Sequence, residues 1–321
     1  MLNVKSDAKD GSFTDFRPFF LEIQPICDIL NSPLGERGAF LTHFEEFMKK
    51  AVVVVPLYRS EMAPFERASL CQCAKVFGGH RNIVFFAPES LEISAFLEIL
   101  PDAGVERFED KYFKSVSSYS WLLLTPGFYQ RFQDYEYMLI YQLDAWVFRD
   151  ELDYWCEKEY DYIGAPFVLK WGHREKIIVG NGGFSLRRIC SMLRVLEEPH
   201  KKMFPPELLK EFFLNHIACG RYFRCFLPLL KMCGLLPNSR GHYLEQIRRE
   251  KYNSEDMVFY FLSRQFTDDG LTMPDIDEAA CFSLDGAPER FFKKLPFGCH
   301  AWMKADAEFW RKRIHALASK T

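Results

Sequence analysis

Residues 51–58 have the sequence AVVVVPLY, in which five small or β-branched apolar residues are followed by Pro56 and Tyr58. Such a run is typical of a central parallel strand that is covered on both faces. A helix-like stretch follows from Pro64 to Phe77 and ends at a pair of glycines. The segment predicts the start of a strand–helix–strand unit, with Tyr58 just beyond the carboxyl end of the first strand.

The same alternation continues along the next hundred residues. NIVFFA (82–87) and YMLIY (137–141) are two further strong strand signals. Weaker patterns predict strands at 105–108, 160–163 and 182–186, and helices at 89–100, 115–124, 127–132 and from residue 189 onward. This order predicts one large α/β domain of the Rossmann-like kind, whose mixed, mostly parallel central sheet is flanked by helices and joined by right-handed crossovers.

Composition excludes several classes of protein. The 321 residues carry 41 Lys and Arg against 44 Asp and Glu, a net charge of −3, and 48% are hydrophobic. The chain is too apolar to be disordered, and it lacks the basic excess expected of a nucleic-acid-binding protein. Aromatic residues reach 16%, and the share of Tyr and Trp among them is typical of a site that stacks flat or ring-shaped ligands.

Cysteine usage and hydropathy indicate the compartment. The ten cysteines are irregularly spaced, which predicts free thiols in a reducing cytosol. The alternative is a zinc site from four neighbouring residues, although their spacing lacks the paired C-x2-C pattern: His216, Cys219, Cys225 and Cys233. No apolar signal core or run of about 18 apolar residues is visible, so we expect a cytoplasmic protein.

Two segments differ from the rest of the chain. Residues 1–45 predict an N-terminal helical extension before a domain at 46–321. Residues 200–251 hold ten Lys and Arg against four Glu, a local charge of +6, and a partly apolar helical pattern. This basic segment has two interpretations, which are a solvated helix face packed on the core and a surface for anionic lipid or phosphate groups. The second would place the protein peripherally on the inner face of the membrane.

Polar residues follow the strongest strands at the edge where open parallel sheets bind ligands. Asp144 follows the strand YMLIY (137–141) after Gln142 and Leu143. A carboxylate at this position can hold a hard cation that bridges phosphates, although a turn or helix-cap role is equally consistent. Gly180-Asn181-Gly182-Gly183 permits close backbone approach to a ligand, or a plain turn.

Two motifs nearer the C-terminus add candidate acid, base and metal-binding groups. Ser254-Glu255-Asp256 predicts a helix start, where the carboxylates either favour the helix dipole or supply a general base. His300 in PFGCHAW has a structural alternative as well.

The ordered motifs resemble the DUF5672 family, which is found in bacterial surface-polysaccharide gene clusters, including those for lipopolysaccharide, and is regarded as glycosyltransferase-like. The resemblance spans about residues 50–302, is weakest in the basic segment and is absent from the first 45 residues. Its most specific pieces are QLDAWVF and NGGFSLRR.

The same order is similar to inverting GT-A glycosyltransferases such as the Fringe-like and β-galactosyltransferase families. This resemblance implies that Asp144 and His300 bind a divalent cation, Mn²⁺ or Mg²⁺, and that Asp256 is the general base with Glu255 beside it. The remaining implied contacts are with the donor (Pro56, Tyr58, Tyr119, Gln142, Asp144) and with the acceptor (Asn181, Gly182, Gly183, Trp302). One departure is Gln142, which replaces the first acid of the usual D-x-D, so cation binding is expected to be weak, nucleotide-dependent or dispensable.

Together these features predict a GT-A-like hexosyltransferase or related enzyme that acts with inversion. It would move a sugar from a nucleotide-sugar donor, foremost a UDP-sugar, to a glycan or lipid-linked glycan, with no nucleic acid involved. A non-catalytic module that binds glycans or nucleotide sugars on the same fold is the alternative, favoured by Gln142. A nicotinamide-dependent enzyme is a third hypothesis, and the missing G-x-G-x-x-G after the first strand argues against it.

Overall fold

The computed structural model describes residues 49–171, 174–197, 254–263, 270–304 and 306–318. The predicted extension at 1–45, the basic segment at 200–251 and the four residues of the zinc alternative lie outside these ranges, as does the predicted boundary at 45/46. All described residues belong to one unit that spans residues 48–321. In the described part, none of the helices has the length and apolar character needed to span a bilayer.

Strands alternate with helices in the described chain up to residue 141, and four strands follow one another between residues 162 and 188. The strands are β1 (Lys49–Pro56), β2 (Asn82–Pro88), β3 (Gly104–Phe108), β4 (Tyr135–Tyr141), β5 (Trp146–Val147), β6 (Tyr162–Gly164), β7 (Pro166–Trp171), β8 (Arg174–Val179), β9 (Phe184–Arg188), β10 (Ser283–Leu284) and β11 (Gly298–Cys299). The helices are α1 (Pro64–Phe77), α2 (Ser94–Leu97), α3 (Val116–Leu123), α4 (Pro126–Gln130), α5 (Leu152–Cys156), α6 (Ile189–Glu197), α7 (Glu255–Ser263), α8 (Ile276–Phe282) and α9 (Ala307–Ala318).

Six strands form the central sheet in the order β3-β2-β1-β4-β9-β6. The first four are parallel, whereas β9 runs antiparallel to both β4 and β6. This arrangement confirms the predicted mixed, mostly parallel α/β sheet flanked by helices. β1 and β4 lie side by side at its centre, with Val53 opposite Leu139.

The four valines of β1 divide between two hydrophobic layers because successive side chains point to opposite faces. Val53 and Val55 pack with α1 residues on one face, and Val52 and Val54 pack with α3 and α6 residues on the other. All four side chains are fully buried. Covering both faces makes β1 a rigid platform for the residues that follow its carboxyl end.

One prediction of local structure was wrong, and one element of the structure was not predicted. The helix expected at 89–100 is reduced to α2, because Arg107 Nη1 takes the backbone carbonyls of Pro88 at 2.8 Å and Leu91 at 2.7 Å. These carbonyls are therefore held in a loop conformation. The other difference is the β7–β8 hairpin, which the sequence did not indicate and which lies just before Gly180.

A small second sheet carries the C-terminal part of the fold towards the ligand edge. β11 pairs with β10 in parallel and with β5 antiparallel, so Cys299 lies opposite Trp146. Since β5 follows Asp144 closely in sequence and β11 ends one residue before His300, this pairing brings His300 to the end of β4. The cysteines of the described part are free thiols.

Candidate active site

The carboxyl ends of β1 and β4 form the floor of the candidate site. Tyr58 follows β1, and Gln142 and Asp144 follow β4. The Gln142 N–H donates to the Gly183 carbonyl at 2.9 Å, which ties the glycine segment to the end of β4. The position of the site therefore agrees with the rule that open α/β sheets bind ligands beyond the carboxyl ends of their strands.

His300 lies between two carboxylates. Its Nε2 is 3.2 Å from Asp144 Oδ1 and its Nδ1 is 3.4 Å from Asp285 Oδ1. Asp285 also accepts a hydrogen bond of 2.9 Å from Asn181 Nδ2, and Asn181 Oδ1 accepts one of 3.1 Å from the Gly183 N–H. A continuous polar network thus runs from the end of β4 through His300 to the glycine segment.

The charges of this network are balanced. Burial acts to lower the pKa of His300, but the hydrogen bonds and charges of Asp144 and Asp285 outweigh it and raise that pKa to about 10. Burial likewise acts to raise the pKa of Asp144, but His300 and Lys304 hold it well below its usual range. Lys304 Nζ lies 2.7 Å from Asp144 Oδ2. Two carboxylates are therefore matched by an imidazolium and an ammonium at neutral pH.

The two consecutive glycines are required by close packing. A Cβ on Gly183 would lie 2.1 Å from Nε2 of His300, and one on Gly182 would lie 2.6 Å from Oε1 of Glu255. Each distance is well inside van der Waals contact. Gly182 and Gly183 therefore separate two groups of polar side chains, His300 with Asp144 on one side and the start of α7 on the other.

Glu255 is held by a buried ion pair. Its Oε1 lies 3.1 Å from Nη2 of Arg187, and its Oε2 accepts a hydrogen bond of 2.9 Å from Ser120 Oγ. Arg187 is fully buried, its guanidinium donates to Tyr129 OH and Ser185 Oγ, and it lies over the ring of Tyr162 at 5.1 Å. Both carboxylate oxygens of Glu255 are thus engaged, so this residue positions the start of α7.

Asp256 is the carboxylate with an available oxygen. Its Oδ1 accepts hydrogen bonds from Ser254 Oγ and from the Met257 N–H, the latter at 2.7 Å. Within the described ranges, no residue donates a hydrogen bond to its Oδ2. Burial, and then the negative charge of Glu255, raise the pKa of Asp256 to about 6. A half-buried carboxylate of this kind is suited to accept a proton near neutral pH.

The predicted aromatic contacts differ in exposure. Tyr58 is 44% exposed and meets the buried Tyr119 edge-to-face at 5.4 Å, so its outer face is open to a ligand. Tyr119 OH lies 3.5 Å from Gln142 Nε2. Trp302 is buried against Trp146 at 5.1 Å, which leaves little of its ring for an acceptor in this conformation.

Pro56, the other predicted donor contact at the end of β1, is buried at the last position of that strand, opposite Phe86.

The donor atoms around His300 Nε2 fit one divalent cation. Nε2 lies 3.2 Å from both Asp144 Oδ1 and Gln142 Oε1. Ligand atoms on adjacent corners of an octahedral site with bonds of about 2.1 Å are about 3.0 Å apart. Across the described part of the chain, no three His, Cys, Asp or Glu side chains are grouped to hold a metal ion, so a cation at this position would need the amide oxygen of Gln142 as its third protein ligand. Binding would also require His300 to release its proton.

Three residues of the site were not among the sequence predictions. Asp285 carried a usable signal, since it follows a short strand in SLDG much as Asp144 follows β4 in YQLD. Lys304 and Arg187 carried none, because their partners are 160 and 68 positions away. Only the tertiary structure brings these charges to the site.

Comparison with known proteins places the chain in a family. No curated protein matches it. Among solved structures, the mannosyltransferase Ktr4p from S. cerevisiae is similar at 14% identity with a TM-score of 0.30 over 46% of this chain. The match spans 55% of that chain, so only about half of its length is represented here. A family model described as "Protein of unknown function (DUF5672)" matches residues 102–300. Because this match covers more than half of the sequence, the chain belongs to the DUF5672 family.

Proposed function

We propose that this protein is a GT-A-like glycosyltransferase that moves a sugar from a nucleoside diphosphate sugar to a hydroxyl group of a glycan or lipid-linked glycan. One observation carries the proposal. The start of α7, which carries Glu255 and Asp256, and the charged cluster of Asp144, His300 and Lys304 adjoin consecutive glycines, because a Cβ on Gly182 would meet Glu255 and one on Gly183 would meet His300. Sugar transfer needs a base for the acceptor and a charged site for the leaving diphosphate, and these two groups can supply them.

In the proposed reaction, the acceptor oxygen forms a bond to the anomeric carbon while the bond from that carbon to the diphosphate oxygen breaks. The electron pair of the broken bond leaves with the diphosphate. The acceptor proton passes to Oδ2 of Asp256, whose raised pKa suits it to accept a proton near neutral pH. Attack from the side opposite the leaving group predicts inversion at the anomeric carbon.

Glu255 supports this role indirectly. Arg187 and Ser120 occupy both of its oxygens, so its negative charge stays close to Asp256 and contributes to the raised pKa of that group. We therefore assign Glu255 as a positioning residue. The Arg187 ion pair would also keep α7 in register with the glycine segment, since Nη2 of Arg187 lies 3.5 Å from the Gly182 carbonyl.

A divalent cation held by Asp144, His300 and Gln142 would neutralise charge on the diphosphate when bound. The chain's own residues contribute in other ways. Tyr58 offers an exposed ring face for stacking on the nucleotide base. Gly182 and Gly183 would line the acceptor side, with Asn181 positioning them through its hydrogen bonds to Asp285 and the Gly183 N–H. Trp302 would reach a sugar only after a side-chain rearrangement.

A non-catalytic module that binds nucleotide sugars is the second candidate. Gln142 favours it, because an amide in place of a carboxylate weakens the charge available for a divalent cation. The two candidates differ in turnover. The binding module would bind donor without release of nucleoside diphosphate, and its affinity would not depend on chelators.

A donor panel separates these functions. Purified protein is incubated with UDP-, GDP-, CMP- and dTDP-sugars, with Mn²⁺ or with EDTA, and both melting temperature and release of free nucleotide are recorded. The proposal expects one donor to raise the melting temperature and to be turned over, with turnover lost in Asp256→Asn. Binding without turnover in every arm would favour the module. No binding to any donor would contradict both.

A further inference from the structure

The turn that follows β11 surrounds Asp144 with two cations. His300 contacts Asp144 Oδ1, the Trp302 N–H donates to the Asp144 backbone carbonyl at 3.2 Å, and Lys304 Nζ lies 2.7 Å from Oδ2. The turn is closed by the Lys304 N–H on the Ala301 carbonyl at 2.9 Å. Ala301 has φ = 52°, a left-handed conformation that is rare for a residue with a Cβ. This strained turn directs both cations to one carboxylate.

The two cations differ in their access to solvent. The side chains of Asp144 and His300 are 12% and 14% exposed, whereas that of Lys304 is 66% exposed. A phosphate group that approaches Asp144 from solvent would therefore meet the ammonium of Lys304 first. Without that ammonium, the anion would face Oδ2 of Asp144 with no cation between them.

The ion pair of Lys304 is also easily exchanged. Asp144 is largely buried, but Lys304 is 66% exposed, so water can solvate its ammonium when the pair opens. The flexible four-carbon stem lets the ammonium turn from Asp144 to a nearby phosphate at little cost. His300 stays between Asp144 and Asp285 when Lys304 moves, so Asp144 keeps a positively charged partner.

We propose that Lys304 is a diphosphate-binding residue, whose ammonium leaves Asp144 to bind the diphosphate of the donor and stabilises the charge that develops as the diphosphate departs. This inference rests on the proposed glycosyltransferase function. The amide of Gln142 is neutral, so the site would hold a divalent cation less tightly than two carboxylates would. Lys304 would supply the positive charge that is then missing. It follows that nucleoside diphosphate binding persists, at least in part, without a divalent cation.

The test is calorimetric titration with UDP and with UMP, each in EDTA and in Mn²⁺. If UDP does not bind, the corresponding guanosine and thymidine nucleotides are titrated in the same two buffers. The proteins are wild type, Lys304→Met, Lys304→Arg and Lys293→Met. Lys293 is a matched control, because it is 62% exposed and pairs with Asp277 at 2.6 Å outside the site. Melting temperatures establish that each variant is folded.

We expect Lys304→Met to weaken nucleoside diphosphate binding in EDTA by about tenfold or more, the usual cost of losing a charged hydrogen bond, and monophosphate binding by less than about threefold. Lys304→Arg should recover most of the affinity, and Lys293→Met should bind as wild type does. Equal diphosphate binding by wild type and Lys304→Met would overturn the inference. An effect confined to the Mn²⁺ titration would also overturn it, since Lys304 would then only orient Asp144.

The outcomes also distinguish this inference from the function on which it rests. If wild type binds a nucleoside diphosphate only with Mn²⁺, the role of Lys304 is refuted and the glycosyltransferase proposal stands. If wild type binds none of the nucleotides in either buffer, the proposed function fails, and the role of Lys304 fails with it.

Discussion

Replacement of Arg187 by methionine should destabilise the protein strongly. Arg187 is fully buried, and its partner Glu255 is 4% exposed, so water does not screen the pair. Methionine fills a similar volume but leaves the Glu255 carboxylate buried with only the Ser120 hydroxyl as a donor. Removal of one member of a buried ion pair typically costs about 3–5 kcal/mol, so we expect the free energy of unfolding to fall by about that amount.

The assay is urea unfolding followed by tryptophan fluorescence, with the free energy obtained by linear extrapolation. Arg188→Met is the matched control, because Arg188 is the adjacent residue and its pair with Glu136 is partly exposed (15% and 32%). We expect that control to lose clearly less than Arg187→Met, because the Glu136 carboxylate left behind is 32% exposed and can be solvated by water. The double variant Arg187→Met/Glu255→Met should be more stable than Arg187→Met alone, because no unpaired charge remains. A loss in Arg187→Met no larger than in Arg188→Met would refute the reasoning.

Three further predictions concern sugar transfer and nucleotide binding. The rate of sugar transfer should rise with pH through about 6, because the pKa of Asp256 is raised and its carboxyl is protonated, and so inactive as a base, below that pH. A pH–rate profile that is flat from about 4.5 to 8 would contradict this prediction. Gly183→Ala should lower the transfer rate by at least about tenfold, since the new Cβ would lie 2.1 Å from His300 Nε2. Gly127→Ala is the control and should match wild type in the same kinetic assay, because its Cβ would meet nothing within 4 Å. Tyr58→Ala should weaken nucleotide binding by roughly 1–3 kcal/mol in calorimetry and leave the melting temperature nearly unchanged, because the ring is 44% exposed; unchanged affinity would remove Tyr58 from the donor site.

Strong local patterns made much of the sheet predictable. The valine run of β1 and the helix α1 were both located from sequence, because a continuous β-branched run and a helix ended by paired glycines leave few alternatives. The helix expected at 89–100 failed for a non-local reason, since Arg107 takes carbonyls that the helix would have used. The direction of β9 was equally out of reach, because pairing direction depends on the whole topology.

The location of the candidate site was more predictable than its chemistry. The positions of Asp144 and Tyr58 followed from strand ends, which gather at one edge of a parallel sheet. The engagement of Glu255 by Arg187 did not, because the two residues are 68 positions apart and neither motif signals the other. The sequence therefore indicated Glu255 and Asp256 as candidate bases. The buried Arg187 in the structure distinguishes them, because it pairs with Glu255 and not with Asp256.

The anomeric configuration of the first sugar product tests the account most directly. With the donor that the panel identifies, proton NMR during the first turnovers reads the configuration before mutarotation or further reaction obscures it. The account predicts inversion by wild type, no product above background with Asp256→Asn, and an unchanged melting temperature that shows the variant is folded. Retention of configuration, or undiminished transfer by Asp256→Asn, would contradict the assignment of Asp256 as the general base of an inverting transfer.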